Sequence, residues 1–343
     1  MVTAKIPVNV LESLNAGLHA VMSDNTNVLL IGEDLLDPYG GAFKVTRGLS
    51  TAFPGRVLTS PISEAGITGL AGGMALRGLR PVVEIMFGDF LVLAADQIIN
   101  HLAKFRYMYA DQVTCPVVIR TPMGGRRGYG PTHSQTLEKH FLGVPGIWVF
   151  APFHAPGEDA LGAPGRLLYD LIMSTQDPVL FIENKLQYLL PLSLPSSWQI
   201  SNKSDGLGAP FYKVSIKGAP RPALTMTAYG YMAYLAMQAQ QQLAYDYEIF
   251  TELLVPTQLA PFELAPLFDS IKMTGKLLAL EEGSGALGWG AEVLALSATE
   301  LGARLLSAER ICAANHAVPA SRSLEEAALP GVNDIVTIVK RMV

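Results

Sequence analysis

The sequence of 343 residues has few cysteines and few charged residues. Its two cysteines, Cys115 and Cys312, lie far apart without a CxxC or Cys/His spacing, which argues against a disulfide framework or a zinc site. We predict two buried, reduced thiols. The formal net charge is −5, and no basic stripe interleaved with aromatic residues occurs, so a nucleic-acid partner is not expected.

Long apolar runs are also missing. Acidic residues such as Glu84, Asp89 and Glu281 interrupt them well short of the ~20 residues that a membrane-spanning helix needs. The first residues carry neither the basic nor the apolar region of a signal peptide. We therefore expect a cytoplasmic protein with no membrane partner. Hydrophobic residues make up 50% of the chain and charged residues 16%, which favours a large subunit interface.

The length and the alternation of apolar patterns predict two α/β domains. Helix-like and strand-like segments alternate through residues 1–190, and a Ser/Gly/Pro-rich stretch at 191–220 is typical of a connection. A second alternating unit spans residues 221–343. Such alternation favours parallel sheets covered by helices. Within the first unit, apolar spacing near 3.6 predicts one long helix over residues 90–108.

The stretch Arg56–Gly78 contains the main candidate residue of the first unit. Ser63 is a suitable helix cap, and Glu64 lies in the first turn, where the helix dipole favours a carboxylate. The helix that follows contains five glycines, each of which costs about 0.5–1 kcal/mol relative to alanine inside a helix. These are Gly66, Gly69, Gly72, Gly73 and Gly78. Close approach to another surface would explain them, although residue types alone also fit a tightly packed structural helix.

Residues 59–108 read TSPISEAGITGLAGGMALRGLRPVVEIMFGDFLVLAADQIINHLAKFRYM. This string resembles the beta subunits of thiamine diphosphate-dependent 2-oxo acid dehydrogenases of the pyruvate and acetoin type, within the transketolase-like family. The resemblance implies a transketolase-like pyrimidine-binding domain followed by a transketolase C-terminal-type domain. It also implies that thiamine diphosphate is the cofactor.

The resemblance assigns cofactor contacts to the first unit. Glu64 matches the glutamate that hydrogen-bonds the aminopyrimidine ring, and Phe90 matches the aromatic residue that stacks on it. Ile62 and Met86 match residues that line the same pocket. For the three apolar residues, an ordinary place in the core is the alternative.

His133 is the second candidate catalytic residue. It lies in a glycine- and arginine-rich loop, and its HSQ string matches the family's active-site histidine, which implies proton or hydrogen-bond donation to the 2-oxo acid. The remaining histidines are interpreted as structural: His19, His101, His140, His154 and His316. In the same loop, Arg126 and Arg127 suit a carboxylate or phosphate, but a solvated pair is the commoner meaning of adjacent arginines.

A GDG motif, with which thiamine diphosphate enzymes hold magnesium, is missing from the sequence. The resemblance therefore implies that a partner alpha subunit holds Mg and the diphosphate, in a two-alpha two-beta heterotetramer, and we expect no metal ligands for Mg in this chain. The family also holds a structural potassium ion with a segment corresponding to Ile172–Asp177 and carbonyls near Val117, so a potassium site here is a further expectation.

The function implied by the resemblance is decarboxylation of a 2-oxo acid, with a pyruvate-like or acetoin-like substrate, and transfer of the acyl unit to a lipoyl group of an acyltransferase. One alternative is transfer of a two-carbon unit to a carrier protein or another acceptor. A second alternative is a scaffold subunit without turnover. The joint presence of Glu64, Phe90 and His133 speaks against the scaffold.

Overall fold

The computed structural model describes residues 7–205 and 209–343, so the first six residues of the expected first domain and residues 206–208 of the expected connection lie outside the described residues. The chain divides into two compact units. The first comprises the residues up to Met123 together with His140–Ser193, and the second comprises Gly124–Lys139 together with Leu194–Val343. The segment that carries His133 therefore groups with the second unit.

The first unit is built on a parallel sheet. Its helices and strands are α1 Val10–Asp24, β1 Val28–Gly32, α2 Leu49–Ala52, β2 Val57–Thr59, α3 Glu64–Leu76, β3 Arg80–Glu84, α4 Phe105–Met108, β4 Val118–Met123, β5 Trp148–Phe150, α5 Gly162–Ser174 and β6 Val179–Asn184. Its strands follow the order β5-β6-β4-β3-β1-β2, and every neighbouring pair is parallel. The strands are apolar and mostly buried, as parallel strands covered on both faces require.

The second unit contains a mixed sheet. Its elements are β7 Trp198–Asp205, β8 Ala209–Ile216, β9 Leu224–Ala228, α6 Gly230–Tyr247, β10 Thr251–Pro256, β11 Gln258–Ala260, α7 Ala265–Thr274, β12 Lys276–Ser284, α8 Trp289–Leu301, β13 Ser307–Ala313, α9 Arg322–Ala328 and α10 Val332–Met342. The strand order is β13-β12-β9-β10-β8-β7. The first four strands of this order are parallel. β8 is antiparallel to β10, and β7 is antiparallel to β8.

The α/β fold class is confirmed, with one difference in the second unit. Part of the stretch expected as a connection forms the strands β7 and β8, which pair with each other in antiparallel register. The Ser/Asn-rich composition did not reveal β7, because an edge strand with one solvated face carries many polar residues.

The predicted long helix over residues 90–108 is wrong. A 3-10 helix at Gly88–Leu93, a π-helical turn at Gln97–His101 and a 3-10 turn at Leu102–Lys104 precede the short helix α4. These tighter and wider turns rotate the apolar side chains relative to a regular helix. Leu102 and Phe105 are thereby placed against Gly72 of α3, where an added Cβ would lie 3.0 Å and 3.3 Å from them. Spacing near 3.6 cannot reveal such local changes of pitch.

No helix within the described residues is both long and apolar enough to span a membrane. The expectation of two buried thiols holds fully for Cys115, whereas Cys312 is half-buried.

Candidate active site

Glu64 is the first residue of α3 and its side chain is buried, with a relative exposure of 6%. The helix begins here because the Ser63 hydroxyl accepts a hydrogen bond from the Gly66 N–H at 3.3 Å. A carboxylate in this position faces the positive end of the helix dipole. The local sequence therefore places this acid in the first turn of α3.

Glu33 lies beside the same helix start, directly after β1. Its Oε1 accepts a hydrogen bond from the Ser63 N–H at 3.1 Å, and its side chain is buried. Burial and the nearby carboxylate of Glu64 raise the pKa of Glu33. The sequence analysis gave Glu33 no role. The two acids lie at the carboxyl ends of parallel strands, the edge where α/β sheets bind ligands.

The three apolar candidates differ from ordinary core residues. Ile62 is 80% exposed, and Met86 and Phe90 are half-buried. The 3-10 helix that carries Phe90 packs against α3, so the first unit brings Phe90 and Glu64 onto neighbouring elements. Phe90 forms an edge-to-face pair with Phe87, with ring centroids 5.8 Å apart. An apolar side chain exposed beside a buried carboxylate is suited to contact a bound ring.

A buried ion network lies on the strands β3, β4 and β6 of the same sheet, and the sequence analysis missed it. Arg120 donates to both carboxylate oxygens of Glu183, at 2.8 Å each, and to Glu84 at 2.6 Å. The Tyr188 hydroxyl donates to Glu183 at 2.5 Å. One guanidinium on β4 thus pairs with two carboxylates, one on β3 and one on β6, inside the unit. Lys185 lies next to this network, with its ammonium 5.0 Å from the centre of the Phe87 ring.

His133 belongs to the second unit, whereas Glu64 and its neighbours belong to the first. The side chain is half-buried, and its Nδ1 lies 3.0 Å from the Thr132 hydroxyl. The neighbouring arginines differ from each other. Arg127 is exposed near the Tyr129 ring, whereas Arg126 is half-buried and donates to the Pro330 carbonyl oxygen. Arg126 therefore stabilises the loop, and the interpretation as a solvated pair fits Arg127 alone.

Two other histidines, His154 and His140, differ in burial. Burial lowers the pKa of His154 to about 4, so this ring is neutral at physiological pH. His140 is exposed at the end of a short 3-10 helix.

The carbonyls expected to hold potassium already accept hydrogen bonds. The Arg80 guanidinium donates to Ile172 O and Thr175 O at 2.6 Å each. The Val117 carbonyl accepts from Val179 N–H at 2.8 Å. Because a guanidinium supplies the positive charge at Ile172 O and Thr175 O, these two carbonyls do not fit a potassium ion.

Both units match known protein families. Residues 7–189 match the pyrimidine-binding domain of transketolase, and residues 213–335 match the transketolase C-terminal domain. A solved split-gene transketolase, described as an inactive beta4 tetramer, shares the fold with a TM-score of 0.71 over 98% of both chains, at 19% sequence identity.

Full-length relatives are more similar in sequence. The chain is 38% identical to the beta-2 subunit of the mitochondrial pyruvate dehydrogenase E1 component of Oryza sativa subsp. japonica, over 96% of this chain and 85% of the rice protein. It is 33% identical to the corresponding beta subunit of Rickettsia bellii, over 98% of both chains. It is also 33% identical to the beta subunit of a Bacillus subtilis acetoin:2,6-dichlorophenolindophenol oxidoreductase, over 95% of this chain and 94% of that protein.

Proposed function

Because this chain belongs to the transketolase-type family of E1-component beta subunits, we propose that it holds the pyrimidine half of thiamine diphosphate through Glu64 and Phe90. Enzymes of this family are thiamine diphosphate-dependent 2-oxo acid dehydrogenases, and their beta subunits act with an alpha subunit. One observation supports the roles of Glu64 and Phe90. The Glu64 carboxylate is buried at the start of a helix, and the apolar side chains beside it are not packed in the core.

Each candidate residue has a defined task in this proposal. When bound, thiamine diphosphate supplies the nucleophilic carbon and accepts the electron pair released with carbon dioxide. The Glu64 carboxylate hydrogen-bonds a ring nitrogen of the aminopyrimidine and so controls the proton on that ring. Phe90 orients the ring by stacking, while Ile62 and Met86 exclude water from it. His133 donates a hydrogen bond or a proton to the oxygen of the 2-oxo acid.

The partners and ions belong to the same proposal. Because the chain has no GDG motif, the alpha subunit contributes the magnesium ion and the diphosphate contacts. Two alpha and two beta subunits form a heterotetramer. The substrate is a pyruvate-like 2-oxo acid or an acetoin-like hydroxyketone, and a lipoyl acyltransferase or a carrier protein accepts the acyl unit. No potassium ion is included. A cytoplasmic location stays a prediction, since several similar beta subunits are mitochondrial.

The division of the cofactor between two chains can be tested by titration. The chain is co-purified with its alpha subunit, and thiamine diphosphate with Mg²⁺ is titrated into the chain alone and into the complex. We expect tight binding to the complex only. Tight binding to the isolated chain would contradict the division, and binding to neither would favour a scaffold without turnover.

The Glu64→Gln variant tests the chemistry. It should assemble normally and lower the rate of 2-oxo acid decarboxylation by about 10²–10⁴-fold, because an amide cannot take the carboxylate's role toward the ring. Glu292→Gln is the matched control, since Glu292 also lies in the first turn of a helix but is exposed. Full activity of Glu64→Gln in an assembled complex would refute the assigned role.

A further inference from the structure

The loop Gly124–Lys139, here called the His133 loop, is held at its start by two buried carboxylates of the second unit. Glu282 in β12 accepts a hydrogen bond from the Gly125 N–H at 2.7 Å. Glu325 in α9 accepts two, from Arg126 N–H at 2.7 Å and from Gly128 N–H at 2.9 Å. Both carboxylates are buried, with exposures of 6% and 3%. Such charge-assisted bonds to backbone N–H groups are among the stronger hydrogen bonds in proteins.

The backbone of this segment is adapted to the two acids. Arg126 adopts a positive φ of 68°, a conformation that side chains other than glycine rarely take, and Gly128 has the same φ of 68°. At Gly125, an added Cβ would lie 2.6 Å from the Leu329 side chain and 3.2 Å from Glu325 Oε1. The loop therefore lies directly on α9, with no room for a side chain between them.

The far end of the His133 loop is also fixed to the second unit. Glu138 is buried and accepts a hydrogen bond from the Tyr229 hydroxyl at 2.6 Å. The Lys139 ammonium donates to the Ser284 hydroxyl at 2.6 Å and to the Ala286 carbonyl at 2.9 Å. His133 is thus carried on a segment with both ends held by side chains from far along the chain.

From these contacts we infer that Glu325 and Glu282 are positioning residues for His133. They fix the backbone that precedes the histidine and so determine where its ring points. This inference rests on the catalytic role proposed for His133. It gives the C-terminal domain a task in turnover: its helix α9 and strand β12 orient a catalytic side chain.

The first test uses the assembled heterotetramer with Glu325→Gln. The glutamine side chain has one acceptor oxygen and one NH₂ donor, so it can serve only one of the two backbone N–H groups and faces the other with a donor. Hydrogen exchange of the peptide covering residues 124–130 should become about 10- to 100-fold faster. The matched control is Glu326→Gln, which changes an exposed glutamate of the same helix that pairs with Arg322. It should leave exchange in this peptide unchanged.

Steady-state kinetics supply the second readout. We expect kcat of Glu325→Gln to fall about tenfold, with KM and the affinity for thiamine diphosphate changed less than about twofold, because the histidine is displaced while the binding residues of the first unit are untouched. In a His133→Ala background the same substitution should reduce kcat by less than about twofold, since its effect acts through the histidine.

The outcomes separate the two proposals. Unchanged exchange at residues 124–130, or an equal loss of kcat with and without His133, would overturn the positioning role. If His133→Ala turns over normally while Glu325→Gln still loosens the loop, the role assigned to His133 fails and the contacts are structural only. Should Glu325→Gln not assemble, Glu282→Ala takes its place, because it removes the side chain that accepts the hydrogen bond from the Gly125 N–H.

Discussion

Replacing Arg120 with methionine should destabilise the first unit strongly, because it leaves Glu84 and Glu183 buried without their cation. The guanidinium is 1% exposed, and the two carboxylates are 7% and 1% exposed. Three charge-assisted hydrogen bonds are lost together. Methionine is unbranched and flexible, so the change removes the charge while much of the buried volume stays filled.

The size of the effect follows from the burial of this network. Removing one partner of a buried ion pair typically costs about 3–5 kcal/mol, because the remaining charge is not solvated. Two carboxylates are affected here, so we expect a loss of at least about 3 kcal/mol near pH 8. Burial raises the pKa of Glu84 and the Arg120 guanidinium opposes this, so loss of the guanidinium should raise that pKa further. Glu84 then gains a proton as the pH falls, so the destabilisation should shrink toward about pH 5.

Hydrogen exchange of the peptides that contain β4 and β6 measures this loss within the first unit, independently of the second unit. Arg166→Met is the matched control. Arg166 forms an ion pair with Asp170 in which both side chains are 46% exposed, and such surface pairs are worth about 0–1 kcal/mol. A loss below about 1 kcal/mol for Arg120→Met, or the same loss at both pH values, would refute the reasoning.

Two further predictions concern the titration of buried groups. Burial raises the pKa of Glu281 to about 7, above its ordinary value of 4.5. The protonated side chain therefore contributes stability that is fully present below the unfolded-state pKa. That stability is lost as the pH rises toward 7. Glu281→Gln should flatten the pH dependence of the melting temperature between about pH 5 and about pH 8, and an unchanged dependence would contradict this. Burial raises the pKa of Cys115 to about 12. A thiol reagent should therefore label the half-buried Cys312 first and Cys115 only after unfolding. Mass spectrometry of the labelled peptides measures this order. Labelling of native Cys115 as fast as Cys312 would count against its burial.

The sequence predicted those features that depend on short segments. Apolar strands flanked by turns identified most of the parallel sheet, and the Ser63 cap located the start of α3 and the position of Glu64. The motif around Glu64 identified the family, which the matches over both units confirm. These predictions succeeded because helix capping and strand patterning involve residues only a few positions apart.

Other features could not be predicted from short segments. The regular spacing over residues 90–108 concealed changes of helical pitch that result from packing against α3. The polar composition of β7 concealed an edge strand, which forms through pairing with β8. In both cases the decisive interactions are with another element, so the segment's own pattern did not contain them.

The sequence by itself determined the fold class, the family and the position of Glu64 at a helix start. Only the tertiary structure brought Arg120 between Glu84 and Glu183, and Glu325 onto the His133 loop. Glu325 is separated in the sequence from Gly128 by 197 positions and from Arg126 by 199 positions. A buried carboxylate needs a donor at hydrogen-bond distance, and which donor it meets is decided by how the strands and helices pack.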